Sequence, residues 1–313
     1  MSSPFPLMFH PTLVVDDLDE AAAWFQKVFG RTEVRWEEKW DLSLLNPDYP
    51  INYSYFFVIG DVSLDVLAPS LLVLPGDREA MYPKGQGLVD IAWYADGIED
   101  VARRLERHGF RTRDQEGNVI RDGRVPQSNL VADCPMIWSL PEDTGLTYEY
   151  YHMAARHRPK YSQRADPRLA PGWRAGVVDP ADPLGVVRCA HHTVLTEQPD
   201  RAVRLFDVLG GATGPRRHDA LLDADVVPVI YAGSVVEFAT PRSAPLLDVL
   251  TGEPTHADQY VGMTFEVVDL DAVENHLEGH GVRLHRSGDE LVTDPRTSFG
   301  ARWGFVPDTR RES

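Results

Sequence analysis

The stretch His10–Gly30, HPTLVVDDLDEAAAWFQKVFG, decides the fold. Residues 7–15 read as an apolar strand, after which Asp16, Asp17 and Asp19 supply the side-chain acceptors that open a helix. Ala21, Ala22, Trp24, Phe25, Val28 and Phe29 then recur at the spacing of a buried helical stripe, and Gly30 is placed to stop it in the left-handed region. The layout returns 181 positions later as HHTVLTEQPDRAVRLFDVLGG, His191–Gly211, with His10 over His191, Thr12 over Thr193, Ala21 over Ala202 and Phe25 over Phe206. A histidine repeated at one point of an apolar strand asks for a chemical reason. Its neighbour His192 falls on the other strand face.

A second pair of units follows the first. Leu88–Arg113 matches Tyr260–His285, with Leu105-Glu106-x-His108-Gly109 lying over Leu277-Glu278-x-His280-Gly281. The chain is therefore four copies of one strand, helix, glycine, strand unit in the order A, B, A, B. A period of about eighty residues is too long for a solenoid repeat and suits a small domain module. Within the first copy, strands are expected near 32–36, 51–59 and 61–68, with Gly60-Asp61 marking a hairpin. Residues 72–87 are long for a plain connection and are expected to cover something. The Pro- and Arg-rich stretch 156–184 shows no period and is expected to be a linker with solvated arginines, dividing the chain into 1–155 and 185–313.

Bulk composition sets outer limits. With 43% hydrophobic and 25% charged residues the chain is an ordinary soluble one, and no apolar run approaches the roughly 20 residues a bilayer crossing needs. A net charge of −17 argues against nucleic acid as a partner. The two cysteines, Cys134 and Cys189, cannot build a disulfide framework or a thiolate metal site, and the start lacks the pattern of a secretory signal, so a cytoplasmic setting is expected. The expected partner is a small molecule. Trp36, Trp40, Tyr53, Tyr55, Trp93 and Trp138 read as core or wall aromatics, and a cavity lined by several of them would suit an aromatic ligand.

HPTLVVDDLDEAAAWFQKVFG, DIAWYADGIEDVARRLERHGF, EDTGLTYEYY and their second-half echoes resemble the vicinal oxygen chelate superfamily, the group of glyoxalases, methylmalonyl-CoA epimerases, extradiol dioxygenases and bleomycin or fosfomycin resistance proteins. The resemblance implies an α+β fold of four βαβββ modules paired into two incomplete barrels, and sequential pairing of neighbours is the simplest arrangement. It also implies a divalent metal ion (Mn, Fe, Ni, Mg or Zn) held by the first and last strands of each module, and a homodimer. Carried across, its ligand positions fall on His10, Asp65, Asp90 and Glu149 in the first half. In the second half they fall on His191, Glu237, Gly262 and Trp303 or Gly304, so only His191 and Glu237 could ligate there. Asp90 stands where the family usually has histidine.

One imidazole with several carboxylates is an oxygen-rich set suited to hard cations, and Glu149 is the expected general base. The leading expectation is a metal-dependent lyase or isomerase acting on a small carbonyl or aromatic compound through an enolate. The alternatives are an extradiol ring-cleavage dioxygenase and a non-catalytic protein that encloses an aromatic metabolite.

Overall fold

The structure, a computed structural model, describes residues 6–308 except 41, 42, 44, 75–81, 84, 129, 175, 244, 249 and 250. The first module runs β1 (Leu7–Val14), α1 (Leu18–Phe29), β2 (Val34–Arg35), β3 (Ser54–Ile59) and β4 (Val62–Leu67). The second runs β5 (Gly87–Tyr94), α2 (Ile98–Arg107), β6 (Thr112–Arg113), β7 (Met136–Ser139), α3 (Pro141–Thr144) and β8 (Thr147–Tyr151). After α4 (Arg158–Arg164) comes the third module, β9 (Val186–Leu195), α5 (Pro199–Leu209), β10 (Ala212–Thr213), β11 (Arg217–Asp219), β12 (Ala224–Tyr231) and β13 (Ser234–Pro241). The fourth is β14 (Gln259–Val267), α6 (Leu270–Gly279), β15 (Leu284–Ser287), β16 (Glu290–Thr293) and β17 (Arg302–Pro307).

Modules pair with their sequence neighbours. One sheet has the order β2-β3-β4-β1-β5-β8-β7-β6, and the other β10-β12-β13-β9-β14-β17-β16-β15. At each centre the first strands of two modules run antiparallel, β1 on β5 and β9 on β14, and each is flanked in parallel by the last strand of its own module. The four strands that carried the expected site residues thus lie side by side in each sheet.

Local chemistry explains the first unit. The Asp17 carboxylate caps α1 by accepting from the backbone N–H groups of Asp19 and Glu20, and Gly30 closes it at φ 64°. The Gly60 turn (φ 58°) joins β3 to β4 with Ile59 opposite Val62, as the hairpin reading requires. The expected strand 32–36 shortens to Val34–Arg35, because the chain turns into a 3-10 helix over Trp36–Glu38.

The helices of the first and third modules lie between the sheets and join them into one core. On α1, Phe25 stacks on Phe57 of β3 at 4.5 Å and meets Trp303 of β17 edge-on at 5.7 Å. On α5, Phe206 meets Trp93 and Tyr148 of the first sheet at 5.4 and 5.3 Å. Each such buried ring contributes on the order of 2–3 kcal/mol. Trp93 and Tyr55 belong to this shared core.

The segment 156–184 is not wholly solvated. Arg168 is 7% exposed, pairs with the fully buried Asp166, and donates to the carbonyls of Phe9 and Asp61. Asp166 also accepts from Tyr94 Oη, so this arginine ties the segment to β1 and the β3–β4 hairpin. Desolvation explains the departure from the expected exposed arginine: a buried guanidinium persists when a carboxylate and carbonyls satisfy it. Among the described residues no helix is long and apolar enough to cross a membrane.

Candidate functional site

One face of the first sheet holds a cavity of about 850 Å³, the size of a small-molecule site. Strand register builds its floor. Thr12 of β1 pairs with Asp65 of β4 on one side and Asp90 of β5 on the other, while Glu149 of β8 lies opposite Ala92 of β5 and Trp138 of β7. Because alternate residues share a face, His10, Asp65, Asp90 and Glu149 all line the cavity. All four are buried, at 3%, 7%, 2% and 1% exposure.

Their environments differ. His10 Nδ1 shares a 3.2 Å hydrogen bond with Thr12 Oγ1, and burial, followed by the positive fields of Lys39 and Arg168, holds the imidazole well below its ordinary pKa. It is therefore neutral near pH 7. Asp65 accepts from the Ser54 hydroxyl; burial raises its pKa to about 7 against the opposing pull of Lys39 and Ser54. Asp90 is pushed well above the usual carboxylate range, by burial first and then by the charge of Glu149. Glu149 is raised by burial too, and hydrogen bonds from Tyr151, Trp138 and Asp90 oppose that shift. Trp138 Nε1 donates to Glu149 Oε1 at 2.5 Å, whereas Glu149 Oε2 and Asp90 Oδ1 find no hydrogen-bond partner among the described residues. Two buried neighbouring carboxyls cannot both ionise cheaply, so Asp90 keeps a proton beside the Glu149 carboxylate.

The walls are aromatic. Trp40, Tyr53 and Trp138, which the sequence offered as core or wall aromatics, stand in the wall of the ligand space, and they are joined by Phe56, Tyr82 and Tyr151. Trp36 falls where its side chain lies outside the described residues. Of the long connection 72–87, Leu72, Leu74, Tyr82, Pro83 and 85–87 line the cavity, as expected of a cover; 75–81 and 84 lie outside the described residues. The second half also reaches this wall through Asp258, Gln259, Tyr260 and Val261 of the β14 region.

The second sheet repeats the register but closes the space. Thr193 pairs with Glu237 and with Gly262, as Thr12 does with Asp65 and Asp90. His191 Nε2 lies 3.6 Å from Glu237 Oε2, yet the same oxygen accepts from Arg217 at 2.5 Å. A Cβ on Gly262 would stand 2.3 Å from Arg302 O, and one on Gly304 would stand 2.4 Å from Thr264 Oγ1. Only about 30 Å³ remains, room for a water. His192 is buried on the other face, where it bonds Tyr260 Oη at 2.5 Å.

No protein-family model matches the chain, and no curated protein sequence does. Solved structures do. A mutant of 4-hydroxymandelate synthase from Streptomyces coelicolor superposes with a TM-score of 0.58 at 12% identity, covering 96% of this chain and 92% of that one. A 2,3-dioxygenase from a Pseudomonas species gives 0.58 at 13% identity, covering 96% and 91%. An Mn(II)-bound glyoxalase from Novosphingobium aromaticivorans gives 0.56 at 12% identity, covering 97% and 82%. The chain therefore has the fold that these three structures share.

Within that fold, the donor set does not fit a dication as it stands. Among the described residues no three His, Cys, Asp or Glu side chains converge as a metal-binding group. Asp90 and Glu149 present free oxygens, but Thr12 engages His10, and Asp65 has Ser54 and the Lys39 charge beside it. The sequence reading missed Lys39, which is 1% exposed with Nζ 2.8 Å over the Phe56 ring. Burial lowers its pKa well below the usual lysine value, against the pull of Asp65 and Glu37. It also missed Arg217 and His152, the latter a second imidazole lining the cavity. Lys39 had one legible signal, since only four of the 31 Lys and Arg residues are lysine.

Proposed function

We propose that the first-sheet cavity is the active site of a lyase or isomerase that moves a proton next to the carbonyl of a small, aromatic-bearing compound. The observation that carries this reading is the buried Asp90–Glu149 pair, two neighbouring carboxyls with an unpartnered oxygen on each. Glu149 Oε2 accepts the substrate proton, Trp138 fixes its other oxygen, and Asp90 donates to the carbonyl oxygen that gains charge. Such an acid–base pair contributes typically 10²–10⁴-fold in rate. The aromatic wall excludes water and holds the ring. No step is derived through a divalent metal, because the four residues do not gather around one. The chain is proposed to carry this site in residues 1–155, with 185–313 as the supporting half.

The test is deuterium exchange into phenylacetone followed by proton NMR, with binding read separately from tryptophan fluorescence. Exchange that falls at least a hundredfold in Glu149→Gln supports the reading. Binding with no exchange above buffer instead makes this an enclosing protein for aromatic metabolites. Elemental analysis settles the metal question: a stoichiometric divalent ion, lost in His10→Ala, would show that the four side chains regroup around it.

A second reading, extradiol ring cleavage, is favoured by His152, which places two imidazoles and a carboxylate around one cavity. Oxygen uptake with a catechol after ferrous loading separates it from proton transfer.

A further inference from the structure

Lys39 is the unusual residue of this cavity. Where the chain pairs a buried carboxylate it uses arginine: the buried Arg168 lies on Asp166, and the half-exposed Arg217 lies on Glu237. An arginine stays charged and presents a rigid fork of donors, whereas a lysine can offer a neutral amine. Lys39 lines the ligand space. Its Nζ lies over the face of Phe56 and 5.5 Å from the Tyr161 ring centroid, with Asp65 and His10 on the same cavity floor. Apolar faces around an amine, with a carboxyl near it, are the setting in which lysine acts as a nucleophile toward carbonyls.

We propose that Lys39 is a nucleophile of this cavity, condensing with a substrate aldehyde or ketone to form an imine. This rests on the cavity being the active site and deepens the proton-transfer reading by naming what accepts the electrons. The Nζ lone pair attacks the carbonyl carbon, the C–O bond breaks, and the oxygen takes two protons and leaves as water. One of those protons comes from the amine and one from a cavity acid, Asp90 or Asp65. The protonated C=N bond then withdraws electrons from the neighbouring carbon, whose proton passes to Glu149 and leaves an enamine. Reprotonation and hydrolysis return the amine, so no oxidant or reductant is consumed. The substrate class is an aldehyde or ketone with an aromatic or flat apolar body.

Reductive trapping tests this. The full chain is incubated with benzaldehyde and sodium cyanoborohydride, and peptide mass spectrometry measures adduct at each amine. The expected result is at least tenfold faster labelling of Lys39 than of the other lysines, retained in Glu149→Gln. In Lys39→Arg, which removes the primary amine, labelling at this site and deuterium exchange into phenylacetone should both disappear while the thermal midpoint holds. Uniform labelling of all lysines, or an unmodified Lys39 while benzaldehyde still quenches the cavity tryptophans, overturns the proposal. So does exchange that persists undiminished in Lys39→Arg, and that outcome leaves the acid–base reading standing. Trapping at Lys39 without any exchange would do the reverse, sinking proton transfer alone.

Discussion

Asp65 carries a proton that water would strip from it. Its pKa of about 7 in the folded chain exceeds the ordinary 3.8, so between those values the folded state holds a proton that the unfolded state has released. This group's contribution to stability therefore falls as pH rises through that window and is level above it. Asp65→Asn should remove the slope: relative to the parent, the variant gains on the order of 2–4 kcal/mol between about pH 4 and about pH 7. Urea unfolding at the two ends checks it, and an unchanged difference would put Asp65 in contact with water. In the second sheet, Arg217→Ala leaves Glu237 buried without its guanidinium. Because Arg217 is 42% exposed, the loss should be about 1–2 kcal/mol, largely restored by adding Glu237→Gln. Among the strand residues, His10 was legible from its repeat at His191, whereas Asp65, Asp90 and Glu149 were reached only through the family resemblance. Lys39 was not reached, because it enters its site from the irregular stretch after the 3-10 turn, and Arg217 was not, because the three-residue strand β11 is too short to show a period.

Elements follow the same division. The capped helix, the glycine stop and the Gly60 hairpin were readable from local chemistry. The strand expected at 32–36 was not readable as a two-residue strand with a 3-10 turn, since the alternation of Thr32 to Trp36 suits either. That turn matters, because it carries the chain to Lys39. The glycine stop of α1 does more than end a helix: a Cβ on Gly30 would lie 2.7 Å from Pro183 Cδ, in the segment entering the second half. Gly30→Ala thus meets both a left-handed backbone and a clash. It should cost more than the roughly 1 kcal/mol of the backbone effect alone. A cost below that would mean Pro183 yields freely.

At the scale of the molecule, the repeat order A, B, A, B fixed the number of modules but left two pairings open, because both satisfy the same strand patterns. The register of β1 on β5 and of β9 on β14 decides it. What no repeat could show is that the sheets share one core through α1 and α5. Residues 1–155 alone would expose Trp24, Phe25, Phe29, Trp93 and Tyr148, which pack against the other half. The full chain should therefore melt in a single calorimetric transition, and the isolated first half should bind a hydrophobic dye. Two separate transitions would show that the halves fold independently. The unequal barrels have one more consequence. An internally duplicated protein invites the expectation of two guests per chain, yet here one twin has become filled scaffolding while the other stays hollow, so a titration should saturate at one equivalent and show no cooperativity within the chain.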